Sequence, residues 1–494
     1  MHHTPTANTA FPPDFLWGAA AASYQIEGGS TPDLRGESVW DAFCRRPGAV
    51  HQGHDGTTAC DHYRLFREDI GLMHAMGLRA YRFSIAWPRV LPTGEGTPNA
   101  AGLDFYDRLV DCLLEHRIQP WATLFHWDFP LDLFRRGGWL NRDSARWFAD
   151  YTSLVVRRLS DRVSSWMTIN EPQVFLQLGH GDGTHAPGLK LPFSEQLVAA
   201  HNVLRAHGLS ALAIRANAAT KPVVGWAPVG HVQFPADSRP ETVEVARRGT
   251  FAIANKNLWT NTWFADPVCR GHYPEDGLAL FGKDVPTFPS SDMTDIRQPL
   301  DFYGVNIYTG GPVVERDGAA VPVPAAPGAP RTAFNWTIEP QSLHWGPRFI
   351  NERYGLPVYI TENGMSSHDW IDSHGRCLDT ARIDYTRRYL LALREAVHAG
   401  ADIRGYFHWS ILDNFEWAEG YKERFGMIHV DFATLKRTPK LSAHWYASVV
   451  RSGGLALSQR TDLSPESQFM RPLAVESKPE PRPESSPRTR TSVP

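Results

Sequence analysis

The sequence predicts an α/β chain folded as one (β/α)8 TIM barrel, and three observations carry that expectation. Strand-like apolar runs alternate with amphipathic helical runs eight times between residue 11 and about residue 453. Polar and aromatic residues gather just where the strand-like runs end, which is the rim where barrels of this class place their chemistry. The first strand–helix turn lacks the G-x-G-x-x-G opening that a doubly wound dinucleotide fold would prefer.

The elements follow in order. Leu16–Ala22 reads as the first strand, followed by a helix with Tyr63, Phe66, Ile70 and Met73 at spacings of three and four. Arg79–Ser84 is the second strand. Leu103, Tyr106, Val110 and Leu113 mark the next helix. Pro120–Phe125 and Ser164–Ile169 are the third and fourth strands, each followed by a helix, over Ser144–Leu159 and about Ser194–Ala216. Pro222–Ala227 is the fifth strand, with a helical run expected over Glu241–Thr262. Asp301–Asn306, Pro357–Thr361 and Ile403–Trp409 complete the eight, with helices over Ser342–Tyr354, Ala381–Ala399 and Leu441–Arg451.

The Pro-rich stretch from Gly310 to Pro330 reads as a long loop over the barrel mouth. The expected organisation is a flexible start (1–10), one barrel domain (11–457) and a tail (458–494). That tail, rich in Pro, Ser, Glu and Arg, is too poor in apolar residues to offset its ordering entropy and is predicted disordered.

Composition excludes several function classes. The 494 residues are 42% hydrophobic and 21% charged, with a net charge of −3. Nothing in that balance points to nucleic acid or an anionic membrane. No apolar stretch approaches the roughly 20 residues of a membrane helix. The first ten residues lack a basic stretch followed by an apolar one, so no secretory signal is expected there. The five cysteines are scattered with no C-x-x-C pair, which fits reduced thiols and a cytoplasmic setting. No His/Asp/Glu cluster has metal-ligand spacing, so no metal or cofactor is expected.

Two carboxylates dominate the rim: Glu171 in Thr-Ile-Asn-Glu-Pro and Glu362 in Ile-Thr-Glu-Asn-Gly. A pair of carboxylates at strand ends suits glycosidic bond cleavage, which needs one group to protonate the leaving oxygen and another to attack or to activate water. Around them, at other strand ends, stand Gln25, Arg82, His126-Trp127, Asn170, Asn306, Tyr308, Trp409 and Glu416-Trp417. Arg82 inside an apolar strand requires a carboxylate partner, because a buried guanidinium is costly alone.

These residues sit in an ordered set of motifs. They include Phe15-Leu16-Trp17-Gly18, Gln25-Ile26-Glu27-Gly28, Tyr81-Arg82-Phe83-Ser84, His126-Trp127-Asp128 and Asn170-Glu171-Pro172. His185-Ala186-Pro187-Gly188, Asp266-Pro267-Val268, Asp301 to Asn306, Thr361-Glu362-Asn363-Gly364 and Asp413-Asn414-Phe415-Glu416-Trp417 follow. With this set the chain resembles family 1 of the glycoside hydrolases, the β-glucosidase family, over almost the whole domain.

The resemblance implies retaining hydrolysis of β-glycosides, with Glu171 as acid/base and Glu362 as nucleophile. It places Gln25, His126, Trp127, Asn170, Glu416 and Trp417 on the sugar hydroxyls, Trp409 beneath the sugar, and Arg82, Asn306 and Tyr308 around the nucleophile. Retention corresponds to carboxylates about 5–5.5 Å apart. A cation and a phenol beside Glu362 should lower its pKa, and a negative Glu362 should raise that of Glu171.

Phosphoglycosidases of the family bind a sugar phosphate with Ser and basic residues where this chain has Glu416. The expected substrate is therefore a small unphosphorylated β-glucoside such as cellobiose or an aryl or alkyl glucoside, with galactose and fucose tolerated. The intact Glu171 argues against a thioglucosidase and against an inactive sugar-binding relative, since both glutamates are present. A transglycosylase uses the same two glutamates and stays open. Oligomeric state is not readable.

Three places depart from the family pattern: Gln173 where an aromatic is common, Asp128-Phe129-Pro130-Leu131, and Ile307 where Tyr is common. The first two are expected near the mouth, where they bear on the leaving group.

Overall fold

The computed structural model describes residues 10–31 and 35–459. The segments expected to be flexible or disordered, 1–10 and 458–494, fall almost wholly outside the described residues.

Eight parallel strands form the barrel: β1 (Leu16–Ala21), β2 (Ala80–Ser84), β3 (Gln119–Phe125), β4 (Ser165–Asn170), β5 (Val223–Ala227), β6 (Tyr303–Asn306), β7 (Val358–Asn363) and β8 (Ile403–Trp409). Their order is β5-β4-β3-β2-β1-β8-β7-β6. The seam between β5 and β6 is stitched at both ends. Asp301 N donates to Val224 O at 2.8 Å, Asn306 N to Pro228 O at 3.0 Å, and Gly230 N to Asn306 O at 2.8 Å. Strands buried on both faces explain why their sequences read as nearly continuous apolar runs.

The bottom of the barrel is filled by rings. Trp121 lies 4.8 Å from Tyr359 and 5.3 Å from both Phe302 and Phe407, centroid to centroid. Two glycines make room. A Cβ on Gly18 would meet the Phe407 ring at 2.6 Å, and one on Gly225 would meet Phe302 at 2.5 Å. Above this layer the interior turns polar. Two residues beyond Trp121, Thr123 accepts from Arg82 Nε at 3.3 Å.

Three stretches differ from expectation. The helix expected over Glu241–Thr262 stops at Phe251, and helix resumes only at Thr262–Arg270. Residues 252–261 between them are irregular. The Gly310–Pro330 stretch contains a hairpin, Gly311–Arg316 with Ala319–Pro322, and Gln233–Pro235 adds a third strand to it. Strand β7 runs to Asn363, so Glu362 lies within the strand rather than after it.

Candidate active site

The C-terminal strand ends surround a cavity of about 850 Å3. His126, Trp127, Glu171, Tyr308, Glu362, Trp409, Glu416 and Trp417 line its inner end. Arg82, Asn170, Asn306 and Gln25 stand behind that lining and hold it. Three lining residues, Trp127 (φ 78°), Glu171 (φ 45°) and Trp417 (φ 50°), adopt left-handed backbone, which side-chain-bearing residues rarely do. Such strain is concentrated where a side chain must be aimed, as at functional sites generally.

Glu362 is held from both sides. Arg82 Nη1 donates to its Oε1 at 2.5 Å and the Tyr308 hydroxyl donates to its Oε2 at 2.6 Å. Tyr308 is in turn fixed through its carbonyl, which accepts from the hydroxyls of Tyr385 and Tyr389 at 2.8 and 2.9 Å. Arg82 is held by further bonds: its Nη1 also reaches Thr361 O at 3.0 Å and its Nη2 reaches Asn170 Oδ1 at 2.6 Å.

Glu171 has a different setting. It closes β4 and opens the short helix Pro172–Leu176, with Pro at the first helical position, where a missing N–H costs nothing. Its backbone N–H donates to Ala227 O on β5 at 2.8 Å. Its Oε1 accepts from Asn306 Nδ2 at 2.8 Å. No cation touches it among the described residues.

The amides between the two glutamates order one another. Asn170 Oδ1 accepts from Arg82 and, at 3.0 Å, from Asn306 Nδ2. Asn306 Oδ1 accepts from Thr361 Oγ1 at 2.6 Å. The Asn170 amide nitrogen therefore faces His126 Nε2 at 3.1 Å and donates to it. Burial drives the His126 pKa well down, so the ring is neutral and its proton resides on Nδ1.

Burial pushes the Glu171 carboxyl up to about 8, and the negative charge of Glu362 adds to the shift. The expectation of a Glu362 pulled below the ordinary carboxylate range is corrected. Burial raises its pKa, and Arg82 and Tyr308 only offset that rise. Within the pair, the cation and the phenol act on Glu362, which favours the negative charge there and the proton on Glu171. Glu416 is raised well above its ordinary value by burial and by Glu362.

The ring-bearing residues pack together. Trp417 lies 4.6 Å from Trp127, and His126 lies nearly parallel to Trp409 at 5.7 Å. Gln25 donates to Glu416 Oε2 at 3.2 Å, to Asn414 Oδ1 at 3.0 Å and to Phe415 O at 2.9 Å, while its Oε1 is buried without a partner. The loop carrying Glu416 is anchored at Asp413, which accepts from Arg424 at 2.7 Å and Lys440 at 2.6 Å.

The residues that the sequence gathers around the two glutamates thus meet at one end of the barrel. Reading the sequence missed Thr123, Thr361 and Asn414, which lay inside quoted strands or motifs. It also missed Phe334 and Trp336, which line the outer cavity from a stretch without periodicity. One placement is corrected. Phe129 and Leu131 are buried in the core, Phe129 packing on Trp87 and Trp139, and neither lines the cavity.

A barrel with paired, unlike carboxyls in a ring-lined cavity defines a glycoside hydrolase. The chain belongs to glycosyl hydrolase family 1, the β-glucosidase family, whose model matches residues 7–455. It is 41% identical to β-glucosidase A of Thermotoga maritima over 447 residues, covering 90% of this chain and 98% of that one. It is 42% identical to a 1,4-β-D-glucan glucohydrolase of Thermotoga neapolitana over 447 residues, 90% of this chain and 99% of the relative. The structure of the Thermotoga maritima β-glucosidase in complex with deoxynojirimycin superposes with a TM-score of 0.83 at 40% identity, covering 91% of this chain and all of that one. No helix among the described residues is long and apolar enough to cross a membrane.

Proposed function

We propose that this β-glucosidase cleaves small unphosphorylated β-glucosides with retention, in two displacements. Glu362, the more acidic carboxyl, attacks the anomeric carbon while Glu171 gives its proton to the departing oxygen. The glycosyl ester removes the charge of Glu362. The Coulombic cause that helps hold the Glu171 proton goes with it, so Glu171 can accept a proton from the incoming water. Asn170, neutral His126, Glu416 and Gln25 hold the sugar hydroxyls, and Trp409 lies beneath the ring.

The observation that carries this reading is the asymmetry of the pair: Arg82 and Tyr308 on Glu362, an amide alone on Glu171. Glu416 and Gln25 bring no cation toward the sugar's far end, which supports an unphosphorylated sugar. The deoxynojirimycin complex of the Thermotoga maritima relative supports a glucose-like occupant. The name of the Thermotoga neapolitana relative supports cellobiose and related β-1,4-glucans as substrates. Proton NMR of methyl β-glucoside hydrolysis tests the mechanism. The β-anomer of glucose should appear first; first release of the α-anomer would refute retention. Faster cleavage of a 6-phosphoglucoside than of the free glucoside would refute the substrate class.

A further inference from the structure

The cavity runs outward from the carboxyls past Val229, Val232, Ile253, Ala254 and Trp259, and this outer wall has no regular secondary structure over 252–261. An irregular chain that lines a cavity must still satisfy its backbone polar groups. Here side-chain amides do so. Gln173, two residues after Glu171, is buried. Its Oε1 accepts from Val229 N at 3.3 Å, and its Nε2 donates to Val229 O at 3.2 Å and to Thr260 O at 3.5 Å. Asn261 repeats the pattern on His231. Its Oδ1 accepts from His231 N at 3.1 Å, and its Nδ2 donates to the carbonyls of His231 and Thr250, both at 2.7 Å. Gln177 Oε1 accepts from Leu258 N at 2.9 Å.

Two of these amides use their full fork to read one residue's N–H and C=O, as a neighbouring strand would. Together they fasten the 252–261 segment to the loop after β5. Gln173 and Gln177 do not line the cavity and Asn261 does; all three hold chain that lines it. The wall they hold carries Val229, Val232, Ile253, Ala254 and Trp259 among polar residues such as His231, Asn255 and Asn257, and it begins beyond the residues assigned to the sugar.

We propose that Gln173 and Asn261 are positioning residues that set leaving-group specificity, by clipping residues 229–233 and 252–261 so that Val229, Val232, Ile253, Ala254 and Trp259 face an extended alkyl or aryl leaving group. The inference rests on the glucosidase reading and adds the class of leaving group the outer cavity favours. An aromatic side chain at 173 could not make these bonds to Val229, so the departure from the family pattern is the clip itself.

The test compares methyl with octyl β-glucoside. Both release a poorly acidic alkanol, so both need Glu171 equally, but only the octyl chain reaches the wall. In Gln173→Met, close in size but without the fork, the octyl-to-methyl ratio of kcat/KM should fall about tenfold, the scale of a lost wall contact. The change should lie chiefly in KM. Asn261→Asp, which keeps the acceptor and loses both donations, should move the ratio the same way, and Gln173→Glu should recover part of it through Val229 N–H. Methyl glucoside turnover and deoxynojirimycin inhibition, which report the sugar end, should stay within about twofold. Deoxynojirimycin titration also counts folded sites, so partial misfolding does not alter the ratio. An unchanged ratio, or equal losses on both glucosides, would overturn the proposal. Failure of the parent enzyme to cleave either glucoside would instead overturn the glucosidase reading.

Discussion

The inner and outer ends of one cavity are built by opposite means. At the inner end, charge and hydrogen bonds converge on side chains: Arg82, Tyr308 and Asn306 each spend a donor on a glutamate. At the outer end, side-chain amides converge on backbone, and the surface that this backbone presents sets Val232, Ile253 and Trp259 among polar neighbours. The inner end is preorganised for charge that develops during reaction. The outer end is preorganised in shape. Changes at the inner end should therefore appear in kcat and pH dependence, and changes at the outer end in substrate preference.

The largest effect should come from the nucleophile. Glu362→Gly should lower kcat on a nitrophenyl glucoside by about 10⁴-fold or more, as loss of a nucleophile does elsewhere. Added azide or formate should restore turnover with the α-configured product, since a small anion attacks from the vacated face. Near-full activity without an added anion would break the assignment of Glu362. Next comes Arg82→Met, which removes the cation and three hydrogen-bonded positions while keeping length. It should cost about 10²–10³-fold in kcat, the scale of one lost charge-stabilising donor. A fall confined to KM would place Arg82 in binding rather than in stabilising Glu362.

The contrast also explains what the sequence could reveal. The eight strands were readable because a parallel strand buried on both faces must be apolar throughout. The inner end was readable because each polar residue interrupts such a run at its end, as Arg82 and Asn170 do. The outer end was not. Residues 252–261 carry no Pro or Gly to mark where the helical run ends, and the path is held by Asn261 within it and by the buried amides of Gln173 and Gln177, distant in sequence. The hairpin at 311–322 left a signal that the many prolines obscured. Asp317-Gly318, with φ of 51° and 79°, is the two-residue turn that such hairpins favour. The direction of the Glu362 shift was missed because the motif names its partners but does not report the depth of its burial.

A third, smaller effect concerns the proton on Glu171. In the free enzyme kcat/KM should fall as pH rises through about 8, where Glu171 loses its proton. Trapping the glycosyl-enzyme with a 2-deoxy-2-fluoroglucoside neutralises Glu362 without touching Glu171. Carbon-13 NMR of labelled glutamate should then show the Glu171 pKa below its free-enzyme value. An unchanged or higher value would mean that burial alone sets it and that the two glutamates do not communicate through charge.

The smallest effect is on stability, and its sign follows from the same shift. Glu171 has a folded pKa of about 8. An unfolded glutamate titrates near ~4.3, so the folded state holds this proton more tightly. The stabilisation from that preference is fully present below the unfolded value and is lost as pH rises through the folded one. A buried carboxyl forced to ionise near pH 8 therefore weakens the fold where the enzyme needs it poised. Glu171→Gln keeps the size of the side chain and the bond from Asn306, and it has no charge to gain. Its Tm should match that of the parent near pH 5 and exceed it by about 1–3 °C at pH 8 to 9. Differential scanning calorimetry at the two pH values decides it. A larger gain at pH 5 than at pH 8 would reverse the sign and remove Glu171 as the carrier of the raised pKa.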